Sequence, residues 1–195
     1  MKIIKTKLFK SLLISFSIGV FIGIICFILL SFSEKMSLSS DLTNYINLIH
    51  DGNFKYFSSF IKSFISNYKY LVLIWVFGIV FFCSLLIPFI IIYRGILLGF
   101  TISSIIYVFH IKGLLYSLIM MIPSTIINEF IFILISYYSI TFATKCFNAI
   151  KKDKTINLRQ FIKNYFYIFL VLSFCILLSS AYEIYIGSNI IKFVV

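Results

Sequence analysis

MKIIKTKLFKSLLISFSIGVFIGIICFILLSF, residues 1–32, begins with four lysines, Lys2, Lys5, Lys7 and Lys10, and continues as an apolar run from Ser11 to Phe32. At 22 residues and ~1.5 Å per residue, this run is long enough for the ~30 Å hydrocarbon core of a bilayer. The basic flank places the amino terminus on the cytoplasmic side. A secretory signal would have an apolar region of ~7–15 residues and then a small-x-small cleavage site. Here the run closes on Leu-Leu-Ser-Phe-Ser-Glu, residues 29–34, so it reads as an uncleaved first span.

Composition extends that reading to the whole chain. Apolar residues make up 62% of it and charged residues only 12%, too little polar surface to cover a soluble core of this size. The 24 Phe and 13 Tyr suit the acyl region and the headgroup belt. A net charge of +11 would ordinarily raise nucleic acid as a partner. The basic residues lie at the edges of apolar runs, however, and form no stripe, so they are read as a topology signal and no nucleic acid is expected. Cys26, Cys83, Cys146 and Cys175 form no CxxC pair and suit packing better than a disulfide or metal site.

Further apolar runs cover about 70–93, 95–109, 114–143 and 165–187. The expectation is an all-α, polytopic membrane helix bundle of about five transmembrane helices in one domain, residues 1–195. Between the first two spans lies an extracytoplasmic loop, 33–69, which divides at the turn signal Asp51-Gly52-Asn53. After it, Phe54, Phe57, Ile61, Phe64, Ile65 and Tyr68 recur at helical spacing with Lys and Ser between them. That pattern predicts an outer, interfacial amphipathic helix, with packing against the protein's own spans as the equal alternative.

The third run has 15 residues, short for a span, and the fourth has 30, too long, with Pro123 able to kink or break it. Folding 95–122 into a re-entrant hairpin would put the basic segment 144–164 outside, against the positive-inside rule, so the third run is expected to cross. Eleven of the 17 Lys and Arg then face the cytoplasm, six lie outside, and the carboxyl terminus is out. The expected location is the cell membrane, with multiple passes and the lipid bilayer as first partner.

Gly19-xxx-Gly23 and Gly95-xxx-Gly99 are close-approach spacings, serving packing within the bundle or a partner face, which leaves a homo-oligomer open. Glu129 lies inside the fourth run beside Asn128, six residues after Pro123. A carboxyl at that depth is protonated, paired, or facing a wet cavity, and is either functional or a buried hydrogen-bonding group. Arg94, at the end of its run, is expected to snorkel to the surface. No catalytic motif is present, so neither an enzyme nor a cofactor is expected.

The middle of the chain resembles the stage II sporulation protein M family. The resemblance is carried by Leu73-Ile74-Trp75-Val76-Phe77-Gly78, then Pro88, then Arg94-Gly95-Ile96-Leu97-Leu98-Gly99-Phe100-Thr101. It continues through Lys112-Gly113-Leu114-Leu115-Tyr116 to Ile122-Pro123. Broader relatives often carry His-Gly after this proline, where Ser124-Thr125 stand here, so no ligand-binding role carries over. The resemblance implies a role in endospore formation, as a membrane anchor that helps localise stage II sporulation proteins D and P, which degrade septal peptidoglycan, during engulfment. The rival reading from the residues is a small transporter or channel using Glu129 and Asn128. Gly95, Gly99, Pro123, Asn128 and Glu129 are the candidate functional or packing positions.

Overall fold

A computed structural model describes residues 2–50, 55–116, 122–151 and 158–187, and they contain helices and no strand. In chain order the helices are α1 (Lys2–Ile28), α2 (Phe32–His50), α3 (Tyr56–Ile79), α4 (Ile87–Tyr116), α5 (Ile122–Lys151) and α6 (Leu158–Ala181). A 3₁₀ turn, Phe82–Leu86, leads into α4, and α6 continues as a π-helical turn over Tyr182–Gly187. Four stretches are long and apolar enough to cross a membrane: Lys7–Ile28, Phe82–Val108, Ser124–Ala149 and Arg159–Gly187. The chain is an all-α helical membrane bundle.

Helix boundaries differ from the sequence expectation in one instructive place. The run 70–93 is not one helix, because α3 stops at Ile79 and Val80 turns to extended backbone (φ −96°, ψ 112°). Ser84 then bonds back to the carbonyls of Val80 and Phe81 (both 3.1 Å), and its hydroxyl donates to Phe81 O at 2.6 Å. Pro88 explains the break. It has no amide proton, and its ring would press on the carbonyl of Ser84 if the helix continued, so it sits in the first turn of α4. Beyond it α4 runs unbroken through Arg94, and the short third run is the middle of a 30-residue helix, ~45 Å long. Pro123 does the same for α5. It is the second residue of that helix, so no kink arises there.

Residues 56–69 form the first half of α3, and one side of this stretch packs inward. Phe64 and Tyr68 lie against the core formed by Leu71, Ile74, Ile91, Phe132, Phe169 and Ile176 among others. Phe64 and Tyr68 therefore meet the protein's own helices, the alternative left open above, while Phe57 (68%), Ile61 (37%) and Ile65 (56%) stay exposed. That also accounts for α3 crossing the bundle without a fully apolar sequence, since its neighbours, not lipid, receive the polar side chains of Ser63 and Asn67.

α5 is central, touching α1, α3, α4 and α6. Its small buried residues Ser136 and Ser139 let neighbours approach closely. Beside Ser139, the Tyr165 hydroxyl donates to the carbonyl of Trp75 (2.8 Å) and shares a hydrogen bond with Ser139 Oγ (2.7 Å). A Cβ on Gly78 would collide with that hydroxyl, so glycine is needed there.

α1 lies along α4 and runs in the same direction. Gly19 meets Ile92 and Gly95, and Gly23 meets Ile96 and Phe100. A Cβ on Gly95 would sit 2.5 Å from Phe16 O and 3.0 Å from Gly19 Cα. The four glycines are thus spent on a seam within the chain.

At the end of α1 the chain turns through a braced elbow. Ser31 and Glu34 form a capping box at the start of α2. The Ser31 amide and hydroxyl donate to Glu34 Oε2 at 2.9 and 2.7 Å, and the Glu34 amide returns to Ser31 Oγ at 3.4 Å. Lys35 Nζ donates to Ile28 O (2.9 Å) and stands 5.6 Å over the Phe27 ring. The Ser31 hydrogen bonds hold the exposed Glu34 carboxyl below the usual glutamate range. A carboxyl depressed in the folded state stabilises above its unfolded value, and that contribution fades as pH falls through the lowered one. In a carbon-13 titration Glu34 should therefore titrate lower than a free glutamate, and Ser31→Ala should raise it part of the way back, since the residue-31 amide still donates to the carboxylate. An unchanged titration in Ser31→Ala would show that the cap is not formed.

Candidate functional site

Arg94 projects from the third turn of α4, near the middle of the apolar stretch Phe82–Val108, where its burial forces it to find partners. It is 9% exposed and Glu129 of α5 only 5%. Both Arg94 Nη2 (2.7 Å) and Nε (3.1 Å) donate to the same carboxylate oxygen, Glu129 Oε1. Nη2 also donates to Asn67 Oδ1 of α3 at 3.2 Å, and the Asn67 amide passes on to Ser63 O at 3.2 Å. The guanidinium lies over the rings of Phe132 (4.4 Å) and Tyr70 (5.2 Å), which suits a weakly hydrated planar cation. One turn further along α3, Ser63 Oγ donates to Glu183 Oε2 at 3.0 Å, joining the π-helical turn to the same polar strip.

The expectation that Arg94 snorkels to the surface is therefore replaced by an ion pair inside the bundle. The reason is the break at 80–86, which moves Arg94 from the end of a span into the body of α4.

The convergence of two nitrogens on Oε1 leaves the other half of the carboxylate idle. Glu129 Oε2 is buried without a hydrogen-bond partner among the described residues, and so is Oδ1 of Asn128, itself only 3% exposed. Unpaired buried acceptors are uncommon and costly. Both residues line a cavity of about 530 Å³ between α1, α4 and α5, into which Asn67, Arg94 and Glu183 also face.

Of the positions singled out from sequence, Asn128 and Glu129 meet in this cavity. Gly95 and Gly99 do not line it; they face α1 on the seam. Pro123 starts the helix that carries the acid. Sequence reading gave no site role to Arg94, Asn67 and Glu183. An intramembrane acid calls for a counter-charge, and Arg94, set between two apolar runs, is the cation that could have been considered.

No curated protein and no solved structure gives a match to this chain. A family model does match, over residues 12–188, which takes in most of α1, the glycine seam, the Arg94–Glu129 pair and the π-helical turn. The chain belongs to the stage II sporulation protein M family and is a sporulation-related membrane protein.

Proposed function

We propose that this protein is a non-enzymatic membrane anchor that recruits septal peptidoglycan-degrading partners, stage II sporulation proteins D and P, during engulfment of the forespore. The chain would lie in the cell membrane with its amino terminus cytoplasmic and its carboxyl terminus outside. The observation that carries this reading is α2. The braced elbow at Ser31–Lys35 fixes its direction, and it presents Phe32 (71% exposed) and Met36 (62%) away from the bundle. A helix held rigidly with apolar residues outward is suited to contact another protein, because little order is lost when it does so. With Phe64, Asn67 and Tyr68 committed to the bundle, α2 is the part of the segment 33–69 assigned here as the recruiting surface.

Phe32→Ser/Met36→Ser should reduce co-purification of the two partners about tenfold from sporulating cells, the effect of losing one central anchor contact. The variant should still accumulate, since neither side chain belongs to the core. Undiminished recruitment by the accumulated variant would overturn this assignment of the surface. The transporter reading is less well supported, because Arg94 holds Glu129 through two hydrogen bonds to one oxygen, a clasp that an exchanging carrier would have to break in every cycle.

A further inference from the structure

The cavity beside the ion pair has a chemistry that the anchor reading does not use. Its two buried orphans, Glu129 Oε2 and Asn128 Oδ1, both accept hydrogen bonds and sit on consecutive residues of α5. What satisfies them must donate, which rules out an anion or a carbonyl as the group that fits. Charge points the same way. The charged residues lining the cavity are one arginine, Arg94, and two acids, Glu129 and Glu183, so the described lining favours a cation over an anion. A proton on Glu129 or Glu183 would also supply positive charge, but it brings a single donor. An ammonium carries three donors and can serve both acceptors at once.

The rest of the cavity describes what the ammonium is attached to. Beyond the polar end the walls are apolar, including Leu98, Ile102 and Ile133, and at about 530 Å³ the space is far larger than a bare ion needs. Ile126 and Phe130 line it too, yet they remain 59% and 54% exposed, so they form a rim that is open to the side of the bundle. In a membrane protein that side faces acyl chains. Carboxylate charge at one end, apolar walls and a lateral opening together specify an amphiphile that enters from the bilayer head first.

We infer that this cavity is a binding site for a membrane amphiphile with a primary ammonium head, received by Glu129 Oε2 and Asn128 Oδ1, with its tail along the wall formed by α4 and α5. The inference does not rest on the anchor reading, because α2 lies elsewhere on the molecule, and either can fail without the other.

The test uses the full chain in phosphatidylcholine nanodiscs with three probes of equal tail length, dodecylamine, dodecanol and dodecanoate, and counts saturable adducts by native mass spectrometry. Dodecylamine should occupy one site, dodecanol should bind about tenfold more weakly or less, and dodecanoate should not bind. Asn128→Leu removes an orphan acceptor without breaking any pair described here. It should weaken dodecylamine about tenfold, while the empty protein melts at the same temperature or higher. Ile126→Trp, a rim substitution outside the core, should abolish the adduct by filling the mouth, which keeps the test available if Asn128→Leu fails to fold. Equal binding of dodecanol would show that charge is not recognised, and preference for dodecanoate would reverse the assignment. Absence of a saturable amine adduct, or amine binding undiminished in either folded variant, would overturn the site.

Discussion

Glu129→Leu should lower the stability of the bundle by about 3–5 kcal/mol, whereas Arg94→Leu/Glu129→Leu should recover most of that loss. The single substitution strands a guanidinium that is 9% exposed, leaving it Asn67 as hydrogen-bond partner, two aromatic faces and the more distant Glu183. The double substitution removes both charges along with their desolvation cost, and leucine matches the apolar surroundings of Phe132 and Ile133. Trp75 is the only tryptophan and lies against Tyr165 and Phe169 in the core, so its fluorescence can report unfolding in a detergent titration. A single substitution that costs less than about 1 kcal/mol, as a water-exposed pair would, would contradict the buried geometry.

The second large effect belongs to the glycine seam. Gly23→Val should destabilise the protein by about 1–3 kcal/mol or more, at the upper end of overpacking costs, because the obstacles are backbone atoms. A Cβ on Gly23 would press on the carbonyl oxygen of Ile96 and lie 2.9 Å from the amide nitrogen of Phe100, and neither can rotate away as a side chain would. Gly99→Val should behave alike from the other side, against Val20. Much of α1 is exposed along its length, including Ile14, Phe21 and Ile25, so the seam is its main hold on the bundle. The same detergent titration, followed by proteolysis at the elbow, would register its loss. Wild-type stability in Gly19→Val/Gly23→Val would show that α1 does not pack there.

Much of this was legible in the residues, and the failures share one cause. Apolar runs and flanking lysines announce membrane helices because lipid tolerates little else. The GxxxG spacings announce close approach, though not which helix meets which. Run length was the poor guide. An apolar run can contain a turn when the turn is buried or bonds to itself, as 80–86 does through Ser84. Pro88, whose missing amide proton forces the break, was the available signal, and taking it as a helix start would have placed Arg94 inside α4. Once Arg94 is inside, an acid must meet it, and Glu129 is the one in reach. In α3 the pattern left an interfacial helix and a helix packed on the protein's own spans equally open, and only the contacts decide between them. Asn67 and Ser63 are bonded to groups on other helices, and a contact with a partner more than 20 residues away leaves no mark on local pattern.

The parallel pairing of α1 with α4 has a consequence for how the protein is made. Gly19 meets Gly95, which stands 76 positions later in the chain. At ~5–20 residues per second, a ribosome needs about 4–15 s to supply that partner. Through that interval α1 has to reside in the bilayer without it, its glycine groove filled by acyl chains that α4 later displaces. The demand on α1 is self-sufficiency, and its uninterrupted apolar span over Lys7–Ile28 meets it. α5 emerges when α1, α3 and α4 are already in place, and more than half of its span is buried among them. It can therefore carry Asn128, Glu129 and a row of serines that an early, solitary helix could not keep in lipid.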